Sequence, residues 1–202
     1  MSVQPATTAP AYFEAIYAED DPFGYRSRWY EARKRALLLA ALPQPRVDAA
    51  WEIGCSNGEL TAALAPRCAR LLATDLDARA VLLARERTAA LANVRIEHMR
   101  HPVQWPQGRF DLVIFSEVGY YFDAGDLETV ARRLRDTLPD DGVLVACHWR
   151  HAFDAAPLCG DAVHAALARH FDHGVFAYAD DDLLLDAWSM SGTSVAQREG
   201  LR

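Results

Sequence analysis

The sequence contains no apolar run that approaches the roughly 18–20 residues needed to cross a bilayer, which argues against a spanning helix. Its first ten residues, MSVQPATTAP, lack the basic start and apolar core of a signal peptide. They read as a loose tail, residues 1–11, on a protein expected to stay in the cytoplasm. Positive charge is also scarce: 21 Lys and Arg face 28 Asp and Glu, and the net charge of −7 speaks against binding nucleic acid or a membrane surface. Four cysteines (Cys55, Cys68, Cys147, Cys159) form no CxxC pair and read as reduced thiols, three of them semi-buried. Internal repeats, low-complexity tracts and linkers are missing too, so the 202 residues are expected to form one domain. What is present, 51% hydrophobic and 24% charged residues, suits a globular fold with a sizeable core.

Apolar residues recur at helical spacing over residues 12–17 and again over 28–42, where WYEARKRALLLAAL is rich in good helix formers and is stopped by Pro43 and Pro45. The turn-prone DDPFGY (20–25) separates the two. AAWEIG (49–54) reads as a buried strand running into a tight turn and a helix over about 59–65. The alternation then repeats: strand 69–75, helix 78–91, strands 94–99 and 110–117, helix 126–138 and strand 142–149. Continuous apolar strands alternating with amphipathic helices predict an α/β architecture, a mostly parallel sheet with helices on both faces. A helix over 160–170 and two further strands, HGVFAYA and DLLLDAWSM, bring the count to seven and suggest an antiparallel end to the sheet.

In such sheets ligands sit beyond the carboxyl ends of the strands, where strand order reverses. The first strand delivers Glu52, Gly54, Cys55, Ser56 and Gly58 to that rim. Glycines allow a sharp turn and close backbone approach to a ligand, and the next helix aims its free N–H groups at the same spot. Asp75 ends the second strand 21 positions after Gly54, with Leu76 beside it, and an ionised carboxylate there can accept from both hydroxyls of a ribose. The bland alternative for Asp75 is a cap on the next helix, a role for which Asp77 is better placed. Glu52 is expected to orient the loop through backbone N–H groups, and Cys55 to fill space.

The loop is G-x-x-x-G and lacks the third glycine of a dinucleotide fingerprint, which disfavours a nicotinamide-dependent oxidoreductase. The pattern E-x-G-x-x-x-G, the acid near 20 residues on and the Phe110-Asp111 strand resemble the class I S-adenosylmethionine-dependent methyltransferases. The resemblance implies a Rossmann-like fold that binds S-adenosylmethionine and releases S-adenosylhomocysteine. Many members carry an acid after the third strand that accepts from the adenine amino group; here Arg100 stands near that position, with Met99 available to pack on the ring. That departure keeps open a domain that binds the cofactor without catalysis. Segments 21–43, 51–68, 110–123 and 143–151 are similar to the nodulation protein S type of N-methyltransferase. That type implies methylation of an amine on a partly deacetylated chitooligosaccharide, and so a small-molecule or oligosaccharide acceptor. In the family a segment like residues 12–42 forms a helical lid over the cofactor, and Trp29 and Arg33 are the candidates there, Arg33 for the cofactor carboxylate.

Methyl transfer to an amine needs a neutral nitrogen held in line, so a proton acceptor nearby helps. Ser116, Glu117, Tyr120 and Tyr121 follow the fourth strand, and His148 and Trp149 end the fifth, all on the glycine-loop rim. Glu117 and His148 are the candidate catalytic groups, although a loop carboxylate and a hydrogen-bonded strand-end histidine are equally ordinary readings. Tyr120, Tyr121 and Trp149 offer faces for an acceptor, against core packing for one tyrosine. His148 and His151 lack the paired acids of a metal site, so no metal is expected. The other histidines, His98, His101, His164, His170 and His173, read as surface residues.

Overall fold

The computed structural model describes residues 6–202. Seven strands form one sheet in the order β3-β2-β1-β4-β5-β7-β6, with β1 Val47–Ile53, β2 Cys68–Asp75, β3 Val94–His98, β4 Leu112–Ser116, β5 Val143–Trp149, β6 His173–Ala179 and β7 Leu183–Ser189. The first five are parallel, while β7 runs antiparallel to β5 and β6 antiparallel to β7. The expected mostly parallel sheet with an antiparallel end is therefore present. Chain order reverses between β1 and β4, which opens a crevice at their carboxyl ends.

Both faces are covered, and the strands show why their sequences are continuously apolar. Val113, Phe115, Leu144 and Ala146 face the core beneath α5 (Ala124–Thr137) and α6 (Gly160–Ala168). Leu112, Ile114, Val143 and Val145 face the opposite core beneath α2 (Trp29–Ala41) and α3 (Glu59–Leu64). Alternate residues thus feed two cores, as the pleat requires. Helix α4 (Ala78–Arg87) covers β2 and β3, capped by Asp77, whose Oδ1 accepts from the N–H groups of Arg79 and Ala80. Asp123 caps α5 in the same way.

Several elements are shorter than the sequence suggests. Helix α4 stops at Arg87 instead of reaching residue 91, and β4 begins at Leu112 instead of 110. Asp111 does not extend the strand, because its carboxylate accepts from Ala49 N–H at 2.9 Å and pins the start of β1, while Phe110 packs on the Trp51 ring.

The N-terminal tail needs correcting. Residues 1–5 lie outside the described region, but from Thr7 onward the chain is held down. Thr7 Oγ1 donates to Asp126 and accepts from Asp123 N–H, Thr8 N–H donates to Tyr121 O, and Thr8 Oγ1 donates to Ala155 O. Helix α1 begins at Pro10 and runs to Ile16. No helix among the described residues is long and apolar enough to cross a membrane.

Candidate active site

A cavity of about 560 Å³ lies across the carboxyl ends of the parallel strands, within the range of small-molecule sites. Its lining runs in the order of the sheet. Leu76, Met99 and Arg100 sit at the β2–β3 side, Gly54 and Ser56 after β1, Ser116, Glu117, Tyr120 and Tyr121 after β4, and Trp149 and Phe153 after β5. Residues between Thr7 and Phe23, with Tyr17 among them, form the roof.

The glycine loop is shaped by backbone geometry. Gly54 has φ +75° and donates its N–H to Thr74 O; a Cβ on it would meet Val118 Cβ at 3.2 Å. The loop after β4 is therefore pressed against the loop after β1. Gly58, with φ +80°, does not line this cavity: a Cβ there would come within 2.9 Å of the Ala84 backbone. Its service is close packing of α3 on α4, and it stands corrected as a ligand contact. Cys55 is buried beside a smaller pocket and does not reach the cavity either.

Asp75 is buried at the cavity edge, with Oδ2 accepting from Ser56 N–H (2.8 Å) and Oδ1 from Asp77 N–H (2.9 Å). Burial raises its pKa from 3.8 to about 6, the backbone donors offsetting part of the effect. Each oxygen keeps acceptor capacity for a ligand hydroxyl. Glu52 does not bond the loop N–H groups as expected. It is buried below the loop with Oε2 unpartnered, and burial lifts its pKa to about 8.

Beyond the loop lies a charged cluster that the sequence did not disclose. Lys34, the only lysine among the 21 Lys and Arg residues, is 5% exposed. Its Nζ stands 2.9 Å from Glu31 Oε2 and 3.3 Å from Glu117 Oε1, over the rings of Tyr25 and Tyr30. Burial works against its charge, but Glu117 and Glu31 outweigh it and hold the pKa above the usual lysine value. Glu117 Oε1 also accepts from Trp149 N–H at 3.1 Å, and Oε2 accepts from the Tyr120 hydroxyl. Glu117 itself has φ +57°, a left-handed backbone uncommon for a residue with a side chain. The signal for Lys34 lay in the stripe Tyr30–Lys34–Leu38–Ala41, whose spacing of four, four and three puts a cation on the inward face of α2.

Three expected site residues are elsewhere. Trp29 is 78% exposed at the start of α2 and touches no part of the cavity. Arg33, one position from Lys34 and so turned about 100° around the helix, is paired with Asp180 at 2.8 Å and bonded to Tyr178. His148 is fully buried and outside the cavity. Gly119 N–H donates to His148 Nε2 (3.1 Å), so the proton lies on Nδ1 and is given to His164 Nε2 (3.0 Å). His164 Nδ1–H in turn donates to Asp186 Oδ2 at 2.6 Å. Burial, then His164 and Lys34, pushes the His148 pKa far below its ordinary value, and neither ring nitrogen is free for an acceptor. His164, expected at the surface, is an inner member of this chain. His101 is likewise buried, bonded to Thr74 and Gln104.

The cavity at the strand-order reversal, its glycine turn and the acid on the neighbouring strand are features of nucleoside-binding α/β enzymes. Residues 51–144 match the family described as "Methyltransferase domain". The chain is 49% identical to a Pseudomonas syringae protein assigned to the methyltransferases, covering 80% of this chain and 99% of that one with a TM-score of 0.72. It belongs to the class I S-adenosylmethionine-dependent methyltransferases. Within them it is similar to the N-methyltransferase NodS from Bradyrhizobium japonicum WM9, solved with S-adenosylhomocysteine (26% identity, 89% of this chain and 96% of that one, TM-score 0.77). It also matches nodulation protein S of Sinorhizobium fredii, with 30% identity over 132 residues, 63% of this chain. The chain spans 60% of the length of that relative.

Proposed function

We propose that the chain methylates the amine nitrogen of a small molecule, a class of which the amino sugar implied by the nodulation protein S resemblance is one member. The observation that carries this is Glu117. Its carboxylate opens on the cavity shared with Gly54, Ser56 and Asp75, and the Glu31–Lys34–Glu117 cluster holds two acids against one base. A cationic amine balances that charge.

The cavity fits the methyl donor. Asp75 retains acceptor capacity for a ribose diol, Gly54 and Ser56 offer close backbone approach, Leu76 and Met99 supply apolar contact for a base, and Arg100 lies at the outer edge. S-adenosylmethionine supplies a sulfonium methyl that a neutral amine displaces in line, leaving the thioether S-adenosylhomocysteine. Glu117 accepts the ammonium proton through its remaining Oε2 lone pair and passes it to solvent. Tyr120 and Trp149 N–H hold that carboxylate in place. Residues 12–42 act as the lid of a single working domain, with Tyr17 OH donating to Ser56 Oγ at 2.7 Å.

Calorimetry with S-adenosylhomocysteine followed by a labelled-methyl assay on amines tests the reading. Glu117→Gln is expected to keep nucleoside affinity within about threefold and to lower turnover about 100-fold or more. Equal loss of both would instead give Glu117 a binding role, and turnover unchanged by the substitution would remove it from the chemistry.

A further inference from the structure

Resting on the amine-methylation reading, the geometry points to one acceptor class: we infer that the acceptor is a compact amine bearing a single flat apolar group, an arylalkylamine, and not an oligosaccharide. The far end of the cavity, beyond Glu117, is built from rings. Tyr120 meets Phe153 edge to face with centroids 5.1 Å apart, Tyr30 meets Trp149 at 5.3 Å, and Tyr121 meets Phe13 at 4.9 Å. These mutual contacts fix the rings as walls.

A sugar brings several hydroxyls, each of which needs a partner once it leaves water. Here several of the polar side chains at this end are committed within the protein. Thr7 is bonded to Asp126 and Asp123, Thr8 to Ala155, and the Tyr120 hydroxyl to Glu117. Asp182 Oδ1 faces His151. The Tyr30 hydroxyl is buried and has no partner.

The tethers of Thr7 and Thr8 to Asp126, Tyr121 and Ala155 draw the chain over this same end. A linear oligosaccharide would need that path open. Donor and acceptor share the one chamber of about 560 Å³, which favours a ring-sized substituent over a chain of sugars. Glu117 meets the ammonium, and the aromatic faces take both the carbon bonded to that nitrogen and the ring.

The test is calorimetry on the full chain saturated with S-adenosylhomocysteine, titrated with 2-phenylethylamine and, separately, with the β-1,4-linked glucosamine dimer. Binding of phenylethylamine with no heat from the dimer is the expected result. Phe153→Ala should weaken the amine about tenfold and leave the nucleoside unaffected; Glu117→Gln should weaken it by a similar factor. Binding of the dimer without phenylethylamine overturns the inference while leaving amine methylation standing, and so does binding of neither. Failure of the nucleoside itself to bind would strike the underlying reading instead. Phe153→Ala leaves the Glu117 charge in place and so covers the chance that Glu117→Gln disturbs the Lys34 cluster.

Discussion

Asp75 concentrates the chemistry of one residue. Its folded pKa of about 6 lies above the ordinary 3.8, so between those values the native protein keeps a proton that the unfolded chain has released. The sign follows: this group makes the fold less stable as pH rises through that window. For the ribose contact proposed for Asp75 the direction is opposite, because the carboxylate is the stronger acceptor toward a diol. Affinity for S-adenosylhomocysteine should therefore fall as pH is lowered through about 6. Asp75→Asn should bind about 10- to 100-fold more weakly at neutral pH, the scale of a charged hydrogen bond, and show no inflection near 6. Calorimetry across pH 5–7 (roughly one unit either side of the expected midpoint) checks both, with the variant as the control for every other titrating group.

At the scale of elements, the parallel strands were legible because burial on both faces leaves an unbroken apolar run, and the start of α4 because Asp77 is a recognisable cap; the cap at Asp123 was missed, and α5 starts two residues before the expected 126. The glycine turn and Asp75 were legible for a similar reason: local backbone demands leave local marks. Partners far apart in the chain leave none. His164 and Asp186 are 22 positions apart, and nothing in either segment announces that they meet. Arg33 and Lys34 differ by a single position on α2, yet one faces Asp180 and the other the cavity, a distinction that rests on the phase of the helix. The histidine chain linking α6, β5 and the Gly119 turn makes a further expectation. His164→Ala strands the His148 Nδ1–H and removes a partner of Asp186, and should cost about 2–4 kcal/mol in urea unfolding. Because the chain ends on Gly119, next to Tyr120, the variant should also lose turnover under conditions where it remains folded and still binds the nucleoside. An unchanged ratio of turnover to nucleoside affinity would reduce the chain to a stabilising role.

Over the whole molecule, one sheet carries two cores and one crevice, and the segment before α2 closes that crevice from above. Its fastenings reach three separate regions: Thr7 and Thr8 to the loop and helix after β4, Thr8 also to Ala155 beyond β5, and Tyr17 and Asp21 to Ser56 and Asn57 of the glycine loop. On the reading proposed above, release of the spent nucleoside and the methylated product is expected to require those bonds to part. Amines of quite different nucleophilicity should then be converted at one shared maximal rate, distinguished by kcat/KM alone, and added sucrose should slow that rate in proportion to solvent viscosity. Tyr17→Phe, which loosens one fastening, should raise the maximal rate; in stopped-flow measurements, the departure of the demethylated nucleoside should quicken by the same factor.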